Sequence, residues 1–161
     1  MILRSSTVAL EPITPVLARR IVDRDERPGD RWHAEYPFLD EIDPLKSLAA
    51  SAAPDPDFTM YVVRRSSDGM AVGGFGFFGP PDADGRVEFG YGLVPSARGM
   101  GLATSAVLLA LEHARLRGAT IAAADTQADN AGSRRVLIKG GLEEVRRRGS
   151  LILYERVLAA R

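Results

Sequence analysis

The sequence predicts an α/β fold, a mixed and strongly twisted sheet with helices on both faces, and three observations support this. Strand-like and helix-like runs alternate along the chain instead of segregating into blocks. Three strand-like runs, at 58–64, 70–78 and 86–94, follow one another with only the turn sequences SSDG and GPPDADG between them. A length of 161 residues fits one domain, and a chain of that size removes about 70% of its unfolded surface from water.

Each element has a local reason. Residues 8–10 read as a first short strand, and residues 12–22 as a helix opened by EPITP. The stretch DRDERPGDRWHAEYPFLDEIDP mixes prolines, aromatics and carboxylates too irregularly for one element. Residues 45–53 read as a short helix ended by PDPD, and FTMYVVR at 58–64 as a strand. Across 102–117, Leu102, Ala106, Leu109 and His113, with Val107, Leu111 and Ala114, recur at helical spacing, and Gly118 supplies the stop. TIAAADT at 120–126 is the next strand, and 133–141 a short helix with Ser133 as its N-cap. Residues 142–149 and 151–158 close the chain as two strands.

Composition excludes several functions. Apolar residues make up 45% and charged residues 26%, the balance of a globular protein. The formal net charge is zero, so no general attraction to nucleic acid or to an anionic membrane is expected. Cysteine is absent, which removes disulfides, a thiolate nucleophile and cysteine metal sites. MILRSSTVALEP is too short an apolar run for a signal peptide, and no stretch reaches the ~18 apolar residues of a membrane helix. The expectation is a cytoplasmic protein with no metal. His113 lies on a helix, and His33 has no second ligand near it in sequence.

Two glycine patterns have opposite readings. Gly74, Gly76 and Gly79 in GGFGFFG match a dinucleotide spacing, but the chain then runs into PPDADG, where no helix can start. That stretch reads as a strand softened by glycine, with a bend. PSARGMGLATSA differs, because a strand ends at Pro95 and a helix begins near Gly101. Glycines leave the backbone bare, the first helical amides lack partners, and Arg98 adds charge. It is either a cradle for a diphosphate or a helix start that uses glycine to turn.

Arg98, Gly99, Met100, Gly101, Leu102 and Ala103 fit the signature R/Q-x-x-G-x-G/A. Downstream, NAGSRRVLIKGGLEE fits N-x-x-S-x-x-V-L-x-K-x-G-F-x-x, with Leu142 replacing the phenylalanine. On these motifs the chain resembles the GNAT acetyltransferase superfamily, nearest to its ribosomal-protein N-terminal acetyltransferase subgroup, over about residues 87–144. The resemblance implies a single GNAT domain over 1–161, mostly antiparallel, with a splayed V between the fourth and fifth strands. An acceptor-side region covers about 1–57, a cofactor-binding core about 58–144 and a C-terminal hairpin about 143–158.

The resemblance also implies acetyl-coenzyme A (acetyl-CoA) as donor and a primary amine as acceptor, on a small molecule or a protein N-terminus. The diphosphate would rest on the amides of Arg98, Gly99, Met100, Gly101, Leu102 and Ala103. The pantetheine would pair with the strand around Leu93 and Val94, which Pro95 stops. Asn130 and Ser133 would complete the donor site. Glu88 matches the subgroup's proposed base, and Ser133 the serine thought to assist the leaving thiolate; Ser133 reads equally as a helix cap. Many relatives place a tyrosine acid four residues later, where this chain has Leu137.

Trp32, Glu35, Tyr36 and Phe38 read either as the lining of an amine pocket, with Glu35 or Asp40 drawing the cation, or as cover for the sheet. Monomer and homodimer fit equally. A non-catalytic acyl-CoA binding or sensing module and a nucleotide-binding regulator are the competing function classes.

Overall fold

The structure is a computed structural model that describes residues 1–158. Its strands and helices run in the order β1 (Leu3–Arg4), β2 (Val8–Pro12), α1 (Pro15–Val22), α2 (Ile42–Ala49), β3 (Met60–Arg65), β4 (Ala71–Phe77), β5 (Arg86–Leu93), α3 (Leu102–Leu116), β6 (Ile121–Gln127), α4 (Ala131–Lys139), β7 (Glu143–Arg148) and β8 (Leu151–Val157). Short 3-10 turns at Leu39–Glu41 and Pro95–Ala97 precede α2 and follow β5.

The strands form one eight-stranded sheet in the order β1-β2-β3-β4-β5-β6-β8-β7. Neighbouring strands are antiparallel except β5 and β6, which α3 joins as a parallel pair. That pair holds only Arg86↔Ile121, Val87↔Ala122 and Glu88↔Ala123. Beyond it β5 stays with β4 as far as Leu93↔Gly73, while β6 stays with β8 as far as Gln127↔Leu151. The sheet therefore splits into two arms, and the expected V is present. It lies between β5 and β6 here because the two-residue β1 adds a strand to the sequence count.

Side chains alternate across β5, so its faces differ. Val87, Phe89 and Leu93 are buried on one face, with Tyr91 beside them. α3 and α4 cover this face: His113 Nε2 lies 3.0 Å from Asp57 Oδ1, and the Tyr91 hydroxyl 2.9 Å from Ser133 Oγ. Phe75 stacks on Phe89 at 5.2 Å between ring centroids, and Phe77 meets Phe75 edge-on. The opposite face carries Glu88, Gly90 and Gly92, and the segment leading into α2 packs there. The outermost strand β7 is exposed along its whole length and carries Glu143, Glu144, Arg146, Arg147 and Arg148, charges that discourage pairing with another chain.

Three helices, α1, α2 and α4, differ in extent from the sequence reading. α1 begins at Pro15, not at 12, because Thr14 Oγ1 accepts the Leu17 amide hydrogen and Pro12 still belongs to β2. α2 spans Ile42–Ala49, not 45–53: Pro44 is tolerated in its first turn, and Ala53 is held out of helical geometry by Pro54.

Candidate active site

Where β5 leaves β6, its backbone presents an edge. Phe78 N–H reaches Glu88 O, and Val94 N–H reaches Val72 O at 2.8 Å. Even-numbered residues of β5 therefore turn their hydrogen-bonding groups toward β4, and Tyr91 and Leu93 turn theirs into the V. The expectation that Val94 pairs with a cofactor is corrected: its N–H is spent on Val72 and its carbonyl accepts the Ala97 N–H. Arg98 folds back, its Nε donating to Leu93 O at 3.0 Å, and its guanidinium lies 5.0 Å from the Phe38 ring centroid.

The loop after this edge is as bare as its glycines suggest. Gly99 and Gly101 sit in left-handed backbone at φ 81° and 78°, and nothing lies within 4 Å of where a Cβ would stand. Ser105 N–H bonds Gly101 O at 3.0 Å, so the amides of Leu102, Ala103 and Thr104 come before the first helical acceptor of α3. With the dipole of a 15-residue helix behind them, they make a positive cradle. Arg98, Gly99, Gly101, Leu102 and Ala103 all border one cleft of about 1080 Å³, whereas Met100 is exposed outside it.

Across the V, Asn130 rather than Ser133 caps α4: Asn130 Oδ1 accepts the Ser133 N–H at 3.0 Å, because the helix starts at Ala131 and not at 133. Ser133 Oγ is thereby free to meet the Tyr91 hydroxyl at 2.9 Å. Both side chains border the cleft. Burial raises the Tyr91 pKa, and the Ser133 hydrogen bond partly offsets this. Leu137, four residues after Ser133, has no hydroxyl to serve as an acid. Tyr91 supplies a phenol to the same serine from the neighbouring strand, a juxtaposition that only the fold creates.

The glycine face holds the second unexpected residue. Glu41 ends the 3-10 turn before α2 and is 7% exposed. Its Oε2 accepts the Phe38 N–H at 3.2 Å, and its own N–H donates to Phe38 O at 2.9 Å. Its Oε1 is buried without a hydrogen-bond partner. The carboxyl lies so close to the Gly74 backbone that a Cβ there would overlap it. Burial is the main cause that pushes its pKa up to about 7, with the Asp40 charge adding to it and the Phe38 N–H opposing it. Glu41, Phe38, Gly74 and Gly92 border the same cleft as the cradle.

Glu88, read as the base, has a side chain 56% exposed, lies 3.8 Å from Arg86 and does not border the cleft. Trp32, Glu35 and Tyr36 are also absent from its walls. Trp32 and Tyr36 are core residues, Trp32 beneath the Arg20 guanidinium and bridged to Ala71. The Glu35 carboxylate instead holds the Ser96 hydroxyl and amide, which ties its loop to the Pro95–Ala97 turn. The amine-pocket reading of these three is therefore corrected in favour of cover and anchoring.

A family model described as an acetyltransferase (GNAT) domain matches residues 10–143. The chain belongs to the GNAT acetyltransferase family. No curated protein matches its sequence. Among solved structures, this acetyltransferase is similar to a probable acetyltransferase of the family from Chromobacterium violaceum, at 26% identity and a TM-score of 0.66 over 97% of this chain and 85% of that one. RimJ of Mycobacterium smegmatis, in complex with CoA-disulfide, matches at 22% identity and 0.66, over 98% and 86% of the chains. The ribosomal-protein-S5-alanine acetyltransferase of Vibrio fischeri matches at 14% and 0.66, over 98% and 97%. Among the described residues of the GNAT chain, no three His, Asp or Glu side chains gather as a metal site, and no helix is long and apolar enough to cross a membrane.

Proposed function

We propose that this GNAT acetyltransferase transfers acetyl from acetyl-CoA to a primary amine by direct attack within a ternary complex. One observation carries the reading: the outward edge of β5 at Tyr91 and Leu93 and, past the Pro95–Ala97 turn, the bare amides at the start of α3 border a single cleft. An extended amide-bearing arm fits the edge as an added strand. A diphosphate fits the cradle, since no side chain of Gly99 or Gly101 holds it off. Asn130 caps the facing helix, and the hydrogen-bonded Ser133–Tyr91 pair on the cleft wall supports a role in handing a proton to the departing sulfur. Glu88, exposed where β5 and β6 part, fits a solvent-side proton carrier better than first contact with the amine.

For the acceptor, the similarity to structures titled as ribosomal-protein acetyltransferases supports a protein N-terminus. A neutral net charge gives no attraction toward basic ribosomal proteins, so small amines stay within the reading. A cytoplasmic setting belongs to it too. Thiol release from acetyl-CoA across a panel of N-terminal peptides, polyamines and aminoglycosides tests it: at least one amine should give turnover well above hydrolysis. The position of Glu88 outside the cleft favours a second reading, a non-catalytic acyl-CoA module. Tight binding of acetyl-CoA with no turnover on any amine would establish that reading and end the first.

A further inference from the structure

We infer that Glu41 is the group that takes the proton from the acceptor amine, with Gly74 as the residue that makes room for its carboxyl. This rests on the transferase reading above and deepens it. The geometry is specific. Glu41, which borders the cleft, is anchored through Oε2 by the Phe38 amide, while Oε1 is buried without a partner against the Gly74 backbone. A carboxylate oxygen hidden from water with nothing to accept from is costly unless a donor arrives. An ammonium is such a donor.

Position agrees with this role. Glu41 lies over Gly74, and Gly74 pairs directly with Gly92, the β5 residue between Tyr91 and Leu93. The carboxyl thus stands on the α2 face of β5, across the strand from the Tyr91–Ser133 pair on the α4 face. Amine activation and thiol protonation are separated by the thickness of one strand. In the proposed step, the Glu41 carboxylate removes one proton from the ammonium, and the freed nitrogen lone pair forms the C–N bond as the C–S bond breaks. The second nitrogen proton goes to the sulfur, giving the amide and the free thiol, and Glu41 releases its own proton to solvent.

The surroundings favour a poised base. Asp40, on the same turn, is the nearby negative charge; Tyr36 is buried in the preceding loop and feels the charge of Glu41. Arg98 reaches this wall from the loop before α3, over the Phe38 ring. β4 brings the Gly74 backbone against the carboxyl. With its pKa near 7, Glu41 is ionised often enough to accept a proton and basic enough to keep it.

The test uses the full chain with two variants. Glu41→Gln removes the base while keeping its volume. Gly74→Ala keeps Glu41, but its new methyl displaces a flexible side-chain end, not backbone. Glutamate carboxyl carbons labelled with ¹³C should show one group titrating near pH 7 in the wild type, absent from Glu41→Gln and shifted toward the ordinary range in Gly74→Ala. With the best amine of the panel, both variants should lose ~10²-fold or more in kcat, and Glu41→Gln should also lose the limb in which wild-type kcat rises with pH through about 7. Affinity for coenzyme A, measured by calorimetry, should not change. Wild-type kcat with an unchanged acid limb in Glu41→Gln would overturn the assignment, as would a spectrum with no glutamate titrating near neutrality. A wild type inert on every amine would overturn the transferase reading beneath it, an outcome recognisable because it needs neither variant.

Discussion

The two ends of the cleft achieve opposite things with the same element, glycine. At the donor end, Gly99 and Gly101 adopt left-handed backbone and leave open space, so that a ligand can approach main-chain amides. At the acceptor end, Gly74 has ordinary strand geometry and its missing side chain is replaced by the Glu41 carboxyl. One end is positive, exposed and preorganised by a helix; the other is nearly dry and holds a carboxyl away from water. The difference teaches that a glycine marks a need for nearness, and its backbone angles tell whether the neighbour comes from outside or from within.

The comparison breaks most sharply at Gly101. Gly101→Val should reduce coenzyme A affinity by at least ~100-fold in calorimetry, because its branched side chain would enter the space of the diphosphate. The left-handed backbone adds roughly 1–2 kcal/mol of strain. The Glu41 titration should be untouched, since the two ends are separately built. Loss of both would mean that they fold as one unit.

A second experiment sharpens the acceptor end through stability. The Glu41 pKa of about 7 lies above its ordinary value of 4.5, so between those pH values the folded chain holds a proton that the unfolded chain releases. Stability therefore falls as pH rises through that window and stays reduced above it. Glu41→Gln escapes this loss. In urea unfolding it should exceed the wild type at pH 8 by roughly 1–3 kcal/mol and match it near pH 4.5. Equal stabilities at pH 8 would place the carboxyl in water.

The smallest effect concerns the anchoring loop. Glu35 is held below its ordinary pKa chiefly by the Ser96 hydroxyl, then by the Ser96 amide. Its contribution is present above pH 4.5 and fades as pH falls through its lower folded value. Glu35→Gln should lower the melting temperature by about 1–2 °C at pH 7, progressively less as pH falls through that lower folded value, and leave the acceptor KM unchanged. A raised acceptor KM would return this loop to the pocket.

The bare turn before α3 was legible because it is nearly contiguous: strand, Pro95, two glycines and helix start stand in one stretch of chain, and their geometry is local. The sheet was legible for the same reason, since alternation and turn residues act over a few positions. The acceptor end is assembled from Phe38 and Glu41, from Gly74 in β4 and from Gly92 in β5, which meet only in the folded sheet. Aromatic and acidic richness directed attention to this segment, of which Phe38 and Asp40 border the cleft, while Trp32 and Tyr36 are large enough to be claimed by the core. A faint signal for Glu41 did exist: the paired glycines of GGFGFFG, read as a soft strand, ask what lies against them. Tyr91 was hidden by its setting among strand residues.

The narrow parallel contact between β5 and β6 has a mechanical consequence. Three residue pairs join two antiparallel arms, so the sheet is a pair of jaws on a short hinge. Arg86 bolts that hinge, ion-paired to Glu155 on the next strand but one, at the rung where β8 faces Ala123. This joint and the Tyr91–Ser133 hydrogen bond, which crosses between the arms, together hold the distance from the β5 edge to Ser133. Evolution or a protein engineer can thus retune the reaction from a position that touches no substrate, by altering the stiffness of a joint.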